Sequence, residues 1–312
     1  MPRAAAPKHP RSDAPGRRTR GLRRRLGRRH DRARRAARRR SRKGRRRRAH
    51  PRGAAQPIPL GVTANFEQAL RAATGEFVAL SDQDDVWRAD RIERALEVFR
   101  SDPRVRLVAA GARLVDEHGD DLGATLFGTL GVDDALLRRL ATGGAFDELL
   151  KRNLVTGATM MLHRELVDAA APFPSSWVHD EWLAVVASVT DGLAVLDDEL
   201  IDYRQHGANQ IGVAELGMTG RIARLRAPRS ERNARLLERA RALAERLPTI
   251  APDRAGLPGV LAGKLEHEEA RSAYPRSRAA RLAPVLREVR TGRYTRFGLG
   301  AQDVLRDLVQ PV

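Results

Sequence analysis

The stretch GEFVALSDQDDVW (residues 75–87) places four apolar residues, FVAL (77–80), directly before three closely spaced aspartates. A short, uninterrupted apolar run is typical of a strand buried on both faces of an α/β sheet. Asp82, Asp84 and Asp85 repel one another and add nothing to a core. Acidic residues at the carboxyl end of a strand lie where open α/β sheets bind ligands. The stretch therefore predicts an α/β protein with a ligand site at this strand end.

The aspartates favour a divalent cation as that ligand. Mg²⁺ takes carboxylate oxygens and completes its shell with water and substrate phosphates. The Asp-x-Asp spacing lets one carboxylate reach the metal and the other reach its waters or a nucleotide. The alternative is an acidic cap on the following helix, which stabilises the helix by about 0.3–1 kcal/mol. One aspartate, Asp85, would be enough for that role, so we prefer the cation site.

Hydrophobic periodicity predicts the elements around this loop. Strands alternate with helices, which indicates an α/β fold with a mainly parallel sheet. The predicted helices are 64–73, 90–103 and 179–192, and the predicted strands lie within 105–116, 154–166 and 193–209, the last range as strand, turn and strand. Gly157 is expected inside the second of these strand ranges, where a ligand or another backbone could approach closely.

The positive charge of the chain is confined to its first part. Residues 1–54 hold 24 of the 58 basic residues and 2 of the 39 acidic ones, so the remainder is slightly acidic. This segment has too few large apolar residues to fold alone, and we expect it to be disordered. As a functional tail, it would bind phosphates of nucleic acid or anionic lipid. The composition thus divides the chain into 1–54, a core 55–212 and a helical region 213–312.

The genetic code offers a second interpretation of the basic segment. Arginine-rich text is what a GC-rich gene gives when it is translated out of frame. Codons that encode RRRLGRRHD (23–31) can encode D-D-G-S-G-D-G-T when they are translated from one nucleotide later. Residues 1 to about 55 are then an out-of-frame translation, which sequencing of the gene or of N-terminal peptides would test.

The chain has no cysteine, which excludes disulfides and thiolate metal sites and suits a reducing compartment. No apolar run approaches the roughly 20 residues of a membrane span, and since no apolar h-region lies near Met1 we expect no secretory signal there. These features predict a cytoplasmic protein, with peripheral contact at the cytoplasmic membrane as an option.

Three further groups of polar residues are candidates for catalysis or ligand binding. His179-Asp180-Glu181-Trp182 suits a general base at a helix start, or simply a helix cap. Tyr203-Arg204-Gln205-His206 with Asn209 suits diphosphate and metal binding, or simply a polar loop. Asn153, Thr156 and Gly157 are a weak signal by themselves.

Four motifs together resemble the family 2 glycosyltransferases, and most closely their bacterial rhamnosyltransferase-like branch. They cover roughly residues 60–212 and are GVTANFEQALRAATGEFVALSDQDDVW (61–87), NLVTGATMMLHRELV (153–167), HDEWLAVVAS (179–188) and LIDYRQHGANQIG (200–212). The resemblance implies a GT-A fold, a nucleotide-diphosphate sugar donor, Mg²⁺ or Mn²⁺, and inversion at the anomeric carbon. The acceptor would be a saccharide or a lipid-linked glycan of the cell surface, and no specific nucleic acid is expected.

The resemblance also implies roles for individual residues. Asp180 matches the catalytic base. The metal residues are Asp82, Asp84 and His206; the donor-binding residues are Asp82, Arg204 and His206; the acceptor-binding residues are Thr156, Gly157, His179 and Trp182.

The sequence departs from the family at its start. The family begins with a strand of the type V-x-V-x-I-P-x-Y-N and a second strand that ends in Asp-Asp-Gly-Ser, and neither occurs in frame. The D-D-G-S of the shifted frame falls at residues 23–26, at about the family's spacing from Leu60. We therefore expect the nucleotide-binding strands to be missing or frameshifted, which leaves the GT-A core incomplete and makes an inactive enzyme one of the expected outcomes.

Two other functions stay open. One is an arginine-rich binder of nucleic acid or membrane surfaces built on a catalytically inactive transferase. The other is a nucleotidyltransferase, which also uses aspartates and Mg²⁺ but normally has a glycine-rich, lysine-bearing nucleotide loop that is not found in frame.

Overall fold

The structure is a computed structural model that describes residues 60–205 and 228–311. These residues fall within one compact unit, Pro59–Val312. The strands are β1 Phe77–Ala79, β2 Val86–Trp87, β3 Leu107–Val115, β4 Asp121–Thr125, β5 Met160–His163 and β6 Leu193–Arg204. The helices before residue 205 are α1 Val62–Ala72, α2 Arg91–Ser101, α3 Leu126–Thr129, α4 Asp134–Arg139, α5 Ala145–Leu149, α6 Arg164–Ala170 and α7 His179–Val189.

The helical character predicted for the C-terminal region is confirmed in its described part. The helices there are α8 Arg229–Ile250, α9 Leu257–Ser272, α10 Arg278–Arg290, α11 Arg293–Phe297 and α12 Ala301–Val309. Leu243 and Leu247 of α8 join the same hydrophobic cluster as Trp182 and Leu183 of α7. The C-terminal helices therefore pack directly on the α/β part.

The sheet is mixed, and the prediction of a mainly parallel sheet is wrong for the described strands. Their order is β1-β5-β3-β6-β2, with β4 paired to β3. The β3–β6 pair is parallel, and the other four pairs are antiparallel. Alternation of strands and helices predicts layers, but it does not determine the direction in which distant strands pair.

Two local predictions are corrected in the same way. Gly157 lies in a single 3₁₀ turn, Gly157–Thr159, immediately before β5 rather than inside a strand. The range predicted as strand, turn and strand is one long strand, β6, whose register against β3 shifts at Gly111. A Cβ at Gly111 would lie 3.1 Å from the carbonyl oxygen of Asp197, so glycine permits this irregularity.

The predicted helices and the FVAL strand are confirmed with small changes of boundary. On α2, the buried residues Ala95 and Phe99 follow helical spacing. α7 is buried along almost its whole length, which places its first residues, His179 and Asp180, at a fixed position. β1 ends at Ala79, Leu80 is buried, and the acidic residues follow directly.

Candidate functional site

The acid loop, Ser81–Asp85, holds its carboxylates close together. Burial raises the pKa of Asp82, and the charge of Asp84 raises it further. Burial also raises the pKa of Asp85 to about 6, and the charges of Asp82 and Asp84 add to this effect. Asp85 Oδ1 accepts the backbone N–H of Arg204 at 3.0 Å, while its buried Oδ2 has no hydrogen-bond partner. Carboxylates that repel one another and leave an oxygen unsatisfied fit a cation ligand.

Arg204, at the end of β6, holds this loop in place. Its Nε donates to the carbonyl oxygen of Asp84 at 3.0 Å. Its Nη1 donates to the carbonyl oxygens of Asp116 and Glu117, which follow β3. The structure therefore places Arg204 beside the acid loop, as a link between the loop and the ends of two strands.

Asp180 lies at the start of α7 and faces the turn before β5. Its Oδ2 accepts the backbone N–H of Gly157 at 3.1 Å, and its Oδ1 accepts the N–H of Glu181 at 2.7 Å. Burial raises the pKa of Asp180; the two N–H groups oppose this shift, and the charge of Asp82 adds to it. The charge of Asp82 thus acts on the base candidate, although the two residues are almost 100 positions apart in sequence.

His179 is buried against the same turn. Its ring stacks on Phe66 of α1 with centroids 3.7 Å apart, and it is only 6% exposed. Neither ring nitrogen has a hydrogen-bond partner, and burial lowers the pKa to about 4. The imidazole is therefore neutral near pH 7, and its two buried ring nitrogens, one donor and one acceptor, lack a protein partner.

Tyr203 of β6 lies at the centre of the acidic side chains. Burial raises the pKa of its hydroxyl to about 12, with further contributions from four carboxylates. These carboxylates belong to Asp82, Asp84, Asp85 and Asp180. The acid loop thus lies in the same electrostatic environment as β6 and the start of α7, although it precedes them by about 100 residues in sequence.

The remaining predicted residues differ in their placement. Thr156 is half-buried beside Gly157, and its carbonyl oxygen accepts the N–H of Thr159 at 3.0 Å. Trp182 is fully buried, and its Nε1 donates to the carbonyl oxygen of Ala170 at 2.9 Å. Trp182 therefore packs the core and offers no surface to an acceptor. His206 and Asn209 lie outside the described residues.

Two arginines near the site carry no signal in the sequence. Arg91, at the start of α2, is 2% exposed; its Nη2 donates to the carbonyl oxygens of Leu80, Ala158 and Met160, and its guanidinium stacks on Trp87. It connects the acid loop to the turn that contains Gly157. Nothing in the local pattern distinguishes it from the other arginines of α2.

Arg239 of α8 is the second. It forms an ion pair with Glu181, the residue after Asp180, and stacks on Trp177 at 3.8 Å. Arg239 neutralises the acid next to the candidate base, although no sequence motif marks it. The signal was missed because α8 is rich in arginine throughout.

Two features are absent from the described residues. Within residues 60–205 and 228–311, no group of three or more His, Cys, Asp or Glu side chains is arranged to hold a metal ion. In the same part of the chain, no helix is long and apolar enough to cross a bilayer.

Comparison with known proteins points to one family. Residues 29–168 match the family model described as Glycosyl transferase family 2. The match includes the acid loop and Gly157, and it ends before Asp180 and Arg204. An uncharacterized glycosyltransferase of Nostoc sp. (strain PCC 7120) is 28% identical over 148 residues, which is 46% of this chain and 44% of that protein. The chain therefore spans less than half the length of this relative.

Proposed function

We propose that this chain is a glycosyltransferase of the family 2 type. In this proposal, a sugar moves from a nucleotide-diphosphate sugar to an acceptor hydroxyl, with inversion at the anomeric carbon. The observation that supports it best is that four carboxylates from two distant segments, the acid loop and the start of α7, act on Tyr203 of β6. The family match over residues 29–168 supports the same chemistry and implies a GT-A fold.

The acid loop fits a divalent cation. Asp82 and Asp84 supply carboxylate oxygens, and the buried Oδ2 of Asp85 is an unsatisfied acceptor beside them. Mg²⁺ is commonly held by one or two carboxylates together with waters and substrate phosphates, so two protein ligands suffice. When bound, Mg²⁺ or Mn²⁺ would neutralise negative charge on the leaving diphosphate. Arg204 anchors the loop here, and its contact with the diphosphate stays a prediction, as does the role of His206.

Asp180 is the proposed general base. A raised pKa brings a carboxylate closer to the pKa that makes proton transfer efficient near neutral pH. The N–H groups of Gly157 and Glu181 keep the carboxylate oriented. Asp180 would remove the proton of the acceptor hydroxyl while that oxygen attacks the anomeric carbon from the side opposite the diphosphate.

The acceptor would bind beside the start of α7 and the turn before β5, where Asp180 and Thr156 are only half-buried. His179 has two unpaired ring nitrogens there, and Thr156 and Gly157 border the same carboxylate. We propose these three residues for the acceptor side and exclude Trp182, because it is buried in the core. A cell-surface saccharide or a lipid-linked glycan is the acceptor class that we propose.

Release of nucleoside diphosphate from a panel of nucleotide-diphosphate sugars tests this proposal. The purified protein, with its N-terminal reading frame restored, is incubated with each donor and Mg²⁺ or Mn²⁺, with and without a saccharide acceptor, and then with EDTA. We expect release with at least one donor, faster with acceptor and abolished by EDTA. Release that is unaffected by EDTA, or release that is absent although a donor binds, would contradict it.

A further inference from the structure

The exposed large aliphatic side chains are concentrated at one end of the chain. Among residues 60–205 and 228–311, ten large hydrophobic side chains are exposed, and six of them lie between residues 282 and 309. These six, which we call the C-terminal apolar face, are Leu282, Leu286, Val289, Leu299, Leu305 and Val309. Scattered exposed aliphatic residues need no explanation, but a cluster indicates a binding surface.

Helical spacing arranges five of these side chains as one stripe on each of two packed helices. Leu282, Leu286 and Val289 follow i, i+4, i+7 on α10, while Leu305 and Val309 follow i, i+4 on α12. Between the two helices, Val285 of α10 belongs to the cluster against which Val304 and Leu308 of α12 pack. The two helices are therefore packed on each other, and each carries an exposed aliphatic stripe beside its buried contact.

In this region the acidic side chains are buried, and the exposed charged side chains are basic. All three acids between residues 276 and 311 are buried, with exposures of 6% for Glu288, 7% for Asp303 and 0% for Asp307. Asp307 is paired inward with Arg271 at 2.7 Å, and Glu288 lies against His267. The exposed charged residues of the same range are all arginines, namely Arg276, Arg278, Arg287, Arg290 and Arg296.

We propose that the C-terminal apolar face docks on the surface of an anionic lipid bilayer. Aliphatic side chains on a helix face enter the boundary between headgroups and acyl chains, and flanking arginines bind lipid phosphates. Long arginine side chains can cover apolar surface while their charge stays in water. A second copy of this face would be repelled by the same arginines. The inference is independent of the proposed transferase activity.

The absence of cysteine allows a site-specific test in the full chain. Leu286→Cys is labelled with an environment-sensitive fluorophore, and vesicles of phosphatidylcholine with phosphatidylglycerol are added. We expect a blue shift, and quenching by lipids that carry a quencher on the acyl chain. Leu122→Cys is the matched control, since Leu122 is 51% exposed and Leu286 is 47% exposed. The basic N-terminal segment can bring both variants to the vesicle, but it cannot insert position 286.

Equal signals at the two positions would overturn the proposal. So would a probe at 286 that is already shielded before vesicles are added, because another part of the chain or a second copy would then cover the face. In the labelled Leu286→Cys chain, Arg287→Ala with Arg290→Ala should weaken the vesicle-induced shift about fivefold for each arginine removed. The same change at the exposed Arg100 and Arg138 should have little effect, and an equal loss there would contradict a local docking site.

Discussion

Gly157 has no room for a side chain, and replacing it tests the geometry of the site. A Cβ at this position would lie 3.0 Å from His179 Nε2 and 3.4 Å from Asp180 Cβ. His179 cannot retreat easily, because its ring is stacked on Phe66 at 3.7 Å and is buried. Gly157→Ala therefore forces the turn and the start of α7 apart by a few tenths of an ångström.

The cost of that movement follows from known effects of overpacking. An extra methyl group in a packed site lowers the free energy of unfolding by about 1–3 kcal/mol. The movement also lengthens the 3.1 Å bond from the Gly157 N–H to Asp180, so the pKa of Asp180 should rise further. Since a misplacement of about 1 Å can cost about 100-fold in rate, we expect at least a roughly tenfold loss of turnover.

Urea unfolding and donor turnover as a function of pH measure these effects. The acidic limb of the pH–rate profile should move to higher pH in Gly157→Ala. Gly259→Ala is the matched control, because a Cβ there meets nothing within 4 Å in the exposed first part of α9. That control should be neutral or slightly stabilising. Normal stability and turnover of Gly157→Ala would refute the proposed packing.

Three further predictions concern neighbouring groups. Burial raises the pKa of Asp85 to about 6, so the folded chain binds a proton more readily than the unfolded chain. The free energy of unfolding therefore falls as the pH rises from about 4 to about 6, and the full loss remains above pH 6. In metal-free buffer, Asp85→Asn should raise the thermal midpoint at about pH 7.5 and lose this advantage near pH 4; an equal effect at both pH values would contradict it. Arg239→Gln should lower the free energy of unfolding by about 2 kcal/mol, since Glu181 loses its partly buried partner, and adding Glu181→Gln should restore part of the loss in denaturant titrations. Arg91→Met removes a donor from three carbonyl oxygens, of which that of Met160 keeps the N–H of Leu80, and should cost about 2 kcal/mol, whereas a cost near zero would show that this buried arginine is not needed.

The parts of the fold that sequence reasoning predicted well are those with a local cause. Apolar spacing placed α1, α2 and α7, and the run FVAL placed β1 with the acid loop behind it. Strand direction was not predictable, because β1 pairs with β5 more than 80 residues later and the pattern of each strand is the same in both directions. The turn expected in the last strand range is a local irregularity of β6 opposite Gly111, where long-range pairing overrides the acidic residues.

In the site, too, residues marked by local sequence were predictable, and residues placed by long-range packing were not. Aspartates at a strand end and at a helix start were recognisable from residue type and position, and the structure brings Asp82 and Asp180 into one electrostatic environment. Trp182 was assigned to the acceptor because it is aromatic and follows the acid pair, but helical geometry turns it into the core. Arg239 was not predictable, because its contact with Glu181 depends on how distant helices pack.

A comparison of Asp180→Asn with Asp84→Asn tests the proposed transferase most directly. Each variant is assayed for Mn²⁺-dependent binding of nucleoside diphosphate and for acceptor-dependent release from the donor, with the exposed Asp253→Asn as control. We predict that Asp180→Asn keeps metal-dependent binding and loses transfer, whereas Asp84→Asn loses both and the control loses neither. Near-normal transfer by Asp180→Asn would contradict the assignment of Asp180 as the base that activates the acceptor.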